Sequence, residues 1–159
     1  MELTKHALPP GTPATEADLQ NLVARALSRT LPKPEWTHAA HVIVALWHLR
    51  EFTAAATVSL LRERISAYNQ SVGVINTPTG GYHETLTVFW IRVASVLMPR
   101  TPESESFQRV VEKALPHAAD KNLPLRFYSR ERVFSFEARR DFIEPDLRPL
   151  PSTIGDFAT

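Results

Sequence analysis

Two histidines three residues apart, His38 and His41 in EWTHAAH, are followed about forty positions later by His83-Glu84 in GGYHET. Residues three apart on a helix share a face and can reach one ion. Three imidazoles leave a position open on a tetrahedral divalent metal, the pattern of catalytic rather than structural zinc. His38, His41 and His83 are therefore the expected metal ligands, with Glu84 as fourth ligand or as general base on a metal-bound water. Tyr82 is the expected proton donor or contact to a substrate hydroxyl. Zinc would imply hydrolytic or lyase chemistry; iron, manganese or copper would imply redox chemistry, and nitrogen and oxygen ligands do not choose between them. The leading expectation is a metal-dependent enzyme acting on a small molecule. The alternative is a non-catalytic helical module that binds a ligand or partner, its histidines structural, since a buried imidazole needs a partner for each polar nitrogen with or without a metal.

Further polar residues flank this set. Tyr68, Asn69 and Asn76 border the loop that feeds His83, and Arg126 and Tyr128 could contact a substrate if the tail folds over the site. Glu35, three residues before His38, is a further candidate ligand. Gly80-Gly81 would let backbone approach a ligand or simply form a turn. His48 lies about 10.5 Å of helix rise beyond His41, too far to share its ion. His6 and His117 have no expected role. There is no G-x-G-x-x-G, Walker loop or G-x-S-x-G elbow.

Composition bounds the alternatives. The 159 residues favour one domain, and 43% hydrophobic against 22% charged suits a globular core. A net charge of +1 argues against nucleic-acid binding, which needs a concentrated basic face. The arginines at 126, 130, 132, 139 and 140 are interrupted by Glu131, Glu137 and Asp141 and read as a solvated face. The absence of cysteine removes disulfides, thiolate metal sites and a cysteine nucleophile. No apolar run approaches a membrane span and the N-terminus has no apolar signal core, so a cytoplasmic protein without membrane contact is expected.

The elements that must position these residues read as an all-α bundle of about five helices. Residues 1–14 carry Pro9, Pro10, Gly11 and Pro13 and read as a mobile leader before a single helical domain over 15–159. Thr15 should cap the first helix. Pro32 and Pro34 break the chain before a second helix that runs to about Arg50. Thr53 should cap a third helix, ending near Tyr68 with Gly73 as its terminator. A fourth helix spans roughly 83–98, with Leu86, Trp90, Val93 and Leu97 on one face and Phe89 and Val96 widening it. That width suits a central helix or a homodimer surface. Thr101-Pro102-Glu103 has the form of a fifth helix start. Ser129 and Ser135 could cap short turns in a tail whose aromatics, Phe127, Tyr128, Phe134, Phe136 and Phe142, are expected to pack back on the bundle.

The combination of EWTHAAH, RISAYN, NTPTGGYHETLT and the tail RFYSRERVFSFEARRDFIEPDLRPLP resembles that of a group of small bacterial proteins of uncharacterised function. The resemblance spans about Leu31 to Pro151. It implies a shared helical fold and carries no activity with it.

Overall fold

Polar caps and apolar stripes at helical spacing divide the described residues into seven α-helices. A computed structural model describes residues 8–157: α1 (Glu16–Leu27), α2 (His38–Leu49), α3 (Ala54–Ser71), α4 (Glu84–Leu97), α5 (Phe107–Ala114), α6 (Arg130–Val133) and α7 (Phe136–Arg140). Among the described residues there is no strand, and no helix is long and apolar enough to cross a membrane.

Each of these helices begins on a side chain that accepts a first-turn N–H. Thr15, Thr37 and Thr53 cap α1 to α3, and Ser106, Ser129 and Ser135 cap α5 to α7. Such caps satisfy donors that the helix cannot satisfy itself. Helix α4 is the exception in residue type, because its cap is the ring of His83. Gly73, just past α3, has φ +78°, the left-handed conformation that ends a helix without a Cβ clash.

Two expected boundaries differ. Thr101-Pro102-Glu103 belongs to a separate 3₁₀ turn (Pro102–Ser104), and the fifth helix starts at Ser106. The reason is tertiary: the carboxylate of Glu16 on α1 accepts the backbone N–H of Gln108 at 2.6 Å, adding a first-turn acceptor that local sequence does not reveal. Residues 1–7 of the expected leader lie outside the described residues. Leu8 packs against the core, and Thr12 closes a turn onto Pro9.

Helix α4 is central, packed against α2, α3, α5 and α7. Its deepest residues are Phe89, Ile91, Val93 and Ala94. Leu86 and Trp90, expected on the core stripe, are only partly buried and border a cavity. Phe89 has no exposed surface and meets Trp90, Phe127 and Tyr128 at ring-centroid distances of 5.4, 5.3 and 6.3 Å. Phe127 and Tyr128 are thus core residues. Phe134 and Phe136, expected to pack inward, are 50% and 65% exposed, because the short helices α6 and α7 turn Val133 and Ala138 inward instead. The tail is held down by polar bonds: the Thr85 hydroxyl donates to Asp141 O at 2.9 Å, and the Tyr128 hydroxyl to Ile143 O at 2.8 Å.

Phe89→Ala removes the ring that joins α4 to the tail. It is expected to cost about 3–5 kcal/mol, read as a lower denaturant midpoint with an unchanged slope.

Candidate functional site

The W-x-H-x-x-H segment is built by a proline-started 3₁₀ turn (Lys33–Glu35) leading into α2. The turn lays the Trp36 indole on the ring of His41, with centroids 3.9 Å apart, and beside Tyr68 at 4.9 Å. His38, one turn earlier, meets the edge of Trp90 from α4 at 4.4 Å. Trp36, His38, His41 and Trp90 line a cavity of about 450 Å³. Helix α2 contributes His38, His41 and Ala45; α3 contributes Leu61, Ile65 and Asn69; α4 contributes Leu86, Thr87, Trp90 and Ile91. Val74, Gly81, Tyr82 and His83 close the remaining side from the loop before α4. No Asp, Glu, Lys or Arg lines it. A second hollow of about 400 Å³ lies against His38 beneath residues 9–13.

The three histidines face one cavity but are not free to share one ion. The Nε2–H of His38 donates to Ala118 O at 2.8 Å, and the Nδ1–H of His41 donates to Thr37 O at 2.8 Å. His83 uses both nitrogens: Nε2–H donates to Val133 O at 2.8 Å, and Nδ1 accepts the Leu86 N–H at 3.2 Å as the cap of α4. Carbonyl oxygens only accept, so each neutral ring's tautomer is dictated by its partner. Among the described residues no group of three or more His, Cys, Asp or Glu side chains is placed to hold a metal.

Electrostatics agree with neutral rings. Burial dominates at all of them: it lowers the pKa of His38, His48 and His83, and lowers that of His41 to about 4, against backbone hydrogen bonds that pull the other way. His41 reaches solvent only partly, and its charged form would be poorly hydrated where it sits. His48 is a core residue whose Nδ1–H donates to Val44 O at 2.6 Å while Nε2 accepts from Arg64.

Glu84 is turned away from the cavity. Arg62 on α3 grips its carboxylate with Nε and Nη2, the Nε–Oε2 distance being 3.0 Å, and the Tyr82 hydroxyl donates to Oε2 at 2.7 Å. Burial alone would raise the Glu84 pKa, but these hydrogen bonds and the charge of Arg62 overcome it and hold the carboxyl below its ordinary value. Burial, then the bond to Glu84, pushes the Tyr82 hydroxyl well up, so Tyr82 keeps its proton.

The other sequence candidates have structural partners. The Tyr68 hydroxyl donates to Leu31 O at 2.8 Å and does not line the cavity. Asn69 does line it, and its Nδ2 donates to Asn76 Oδ1 at 3.1 Å. Asn76 Oδ1 also accepts the Tyr82 N–H at 2.9 Å, holding the loop 72–82 in place. Gly81 has φ +80°, and a Cβ there would come within 2.9 Å of Asn76 Cα, so a side chain is excluded twice over. Arg126 donates to Phe157 O and Tyr128 to Ile143 O; both secure the tail away from the cavity. Glu35 pairs with Arg25 at the surface, 3.1 Å apart.

Three participants carry no site role in the sequence reading: Trp36, Arg62 and Arg139, the last read as part of a solvated face. Trp36 was detectable, since W-x-H-x-x-H puts an indole at the cap beside the second histidine. Arg62 and Arg139 were not: Arg139 donates to Gly81 O and Tyr82 O from α7, and neither contact follows a local spacing.

Replacing His83 tests its double role. His83→Ala removes a helix cap and strands the Val133 carbonyl, an expected loss of about 2–4 kcal/mol. His83→Asn restores a capping side chain and should recover part of it. Acid should also unfold the protein progressively. The unfolded histidines take protons near 6.5 while the folded rings resist, so stability is complete above pH 6.5 and declines toward about 4, where folded His41 protonates. Glu84, depressed from 4.5, adds its loss only below that value. A melting temperature that stays flat from pH 7 to 5 would contradict this. No protein-family model, curated protein or solved structure matches the chain.

Proposed function

We propose that the protein is a non-catalytic binding module that holds a small, largely apolar molecule between α2, α3 and α4. The cavity of about 450 Å³, walled by Trp36, Trp90, Leu61, Ile65 and Leu86, carries this reading. It falls within the range of about 300–1,000 Å³ over which small-molecule pockets occur, apolar with a few fixed polar groups.

The chemistry of the surrounding groups supports binding over turnover. A general base works best with a pKa near the operating pH, and His41 at about 4 is far below it. Glu84, expected as base or ligand, is neutralised by Arg62 and does not reach the cavity. A metal held by His38, His41 and His83 would require His83 to give up either the α4 cap, if bound through Nδ1, or Val133 O, if bound through Nε2. The histidines instead serve as polar fixtures in an aromatic wall.

Titration with N-phenyl-1-naphthylamine, a neutral probe that brightens in apolar surroundings, should give a saturable one-to-one signal. Leu86→Trp fills the cavity and should abolish that signal while the protein still melts cooperatively. Elemental analysis tests the rival enzyme: stoichiometric metal in the wild type, lost in both His38→Ala and His83→Ala, would overturn the binding-module reading.

A further inference from the structure

Most of the polar hydrogens on the cavity's lining side chains are already used. The hydrogens of five lining side chains are committed to protein acceptors: His38 to Ala118 O, His41 to Thr37 O, His83 to Val133 O, Tyr82 to Glu84 and Thr87 to His83 O. Two polar atoms of lining residues keep unused capacity: the buried indole N–H of Trp36, a donor without a partner, and Nε2 of His41, an acceptor. Its Nδ1 carries the hydrogen, because Thr37 O can only accept, so Nε2 holds a lone pair. Among the described residues no side chain or backbone group donates to it, and it is not one of the buried polar atoms left without a partner. His41 lines this cavity and not the hollow beneath residues 9–13. The lone pair is therefore open to whatever the cavity contains, and Trp36 stacked on the same ring supplies a flat wall beside it.

We propose that the cavity selects a neutral, planar, mostly apolar molecule bearing an O–H or N–H group, which donates a hydrogen bond to Nε2 of His41. This rests on the binding-module reading and deepens it. Neutrality follows from the lining, which has no charged side chain to replace the water an ion would lose. An anion would also meet the unshared pair of His41. A planar ring suits a lining that includes the indoles of Trp36 and Trp90, which offer stacked and edge contacts. An acceptor-only analogue would displace water from Nε2 and leave it unpaired, which is the penalty that creates selectivity.

Paired probes of equal shape separate the two levels of the argument. At pH 7.5, 2-naphthol should bind at least about tenfold more tightly than 2-methoxynaphthalene, whose ether oxygen has no hydrogen to donate. In His41→Phe, which keeps a ring against Trp36, that preference should fall below about threefold. Nitrogen-15 NMR of the wild type gives a readout independent of any variant. Free His41 should show a protonated Nδ1 and an unprotonated Nε2, and only 2-naphthol should move the Nε2 resonance upfield, as a donated hydrogen bond does. Equal affinity of the two probes, or an Nε2 resonance that 2-naphthol leaves in place, overturns the donor selectivity and leaves the cavity reading intact. Failure of both probes and of N-phenyl-1-naphthylamine to bind overturns the cavity reading and the selectivity with it.

Discussion

A ring N–H buried without an acceptor is expensive, and four histidines meet that demand by donating to main-chain carbonyls. Much of the architecture follows from where those carbonyls lie. His38 reaches Ala118, tying the start of α2 to the turn after α5, and His83 reaches Val133, tying the start of α4 to α6. These two bonds bridge 80 and 50 residues of chain, so they act as crossbraces rather than local caps. They also set each tautomer, and thereby decide which nitrogen stays available. At His83 none stays available; at His41 one does.

Around this frame a second polar unit fixes the loop that bounds the cavity. Arg62 and Tyr82 converge on Glu84 at the first turn of α4, where a carboxylate also suits the helix dipole. Asn76 holds the Tyr82 N–H, and Arg139 holds the carbonyls of Gly81 and Tyr82. The loop is thus gripped from α3, α4 and α7 at once. Only the Glu84 side of this ion pair is buried, the Arg62 side chain being about half exposed, so its net stabilisation is small and Glu84 is read best as a constraint on loop position.

Local signals were legible in the residues, and long-range partners were not. Thr15, Thr37, Thr53, Ser129 and Ser135 announce their helices because a cap bonds three residues along its own chain. Thr101-Pro102-Glu103 carried the same signal, yet α5 starts later, where Glu16 of another helix supplies an acceptor. The histidine pattern placed three rings around one space, which periodicity and helix adjacency could suggest. It could not reveal Ala118 and Val133, the carbonyls that absorb their ring hydrogens. The same limit applies to Phe134 and Phe136: apolar character argued for burial, while helices of four and five residues have too few positions to bury every one.

Stability and recognition meet on a single lone pair. A proton and a ligand hydrogen compete for Nε2 of His41, so a molecule that donates there binds the neutral ring better than the imidazolium. By linkage, that ligand must lower the folded pKa of His41 still further, and protonation must weaken the ligand by the same factor. The backbone bond to Thr37 opposes burial by favouring the charged ring, whereas an occupant of the cavity would exclude water and reinforce neutrality. The free acceptor in the cavity is therefore a consequence of folding: once the ring hydrogen of His41 is committed to Thr37 O, its Nε2 lone pair remains to read a ligand.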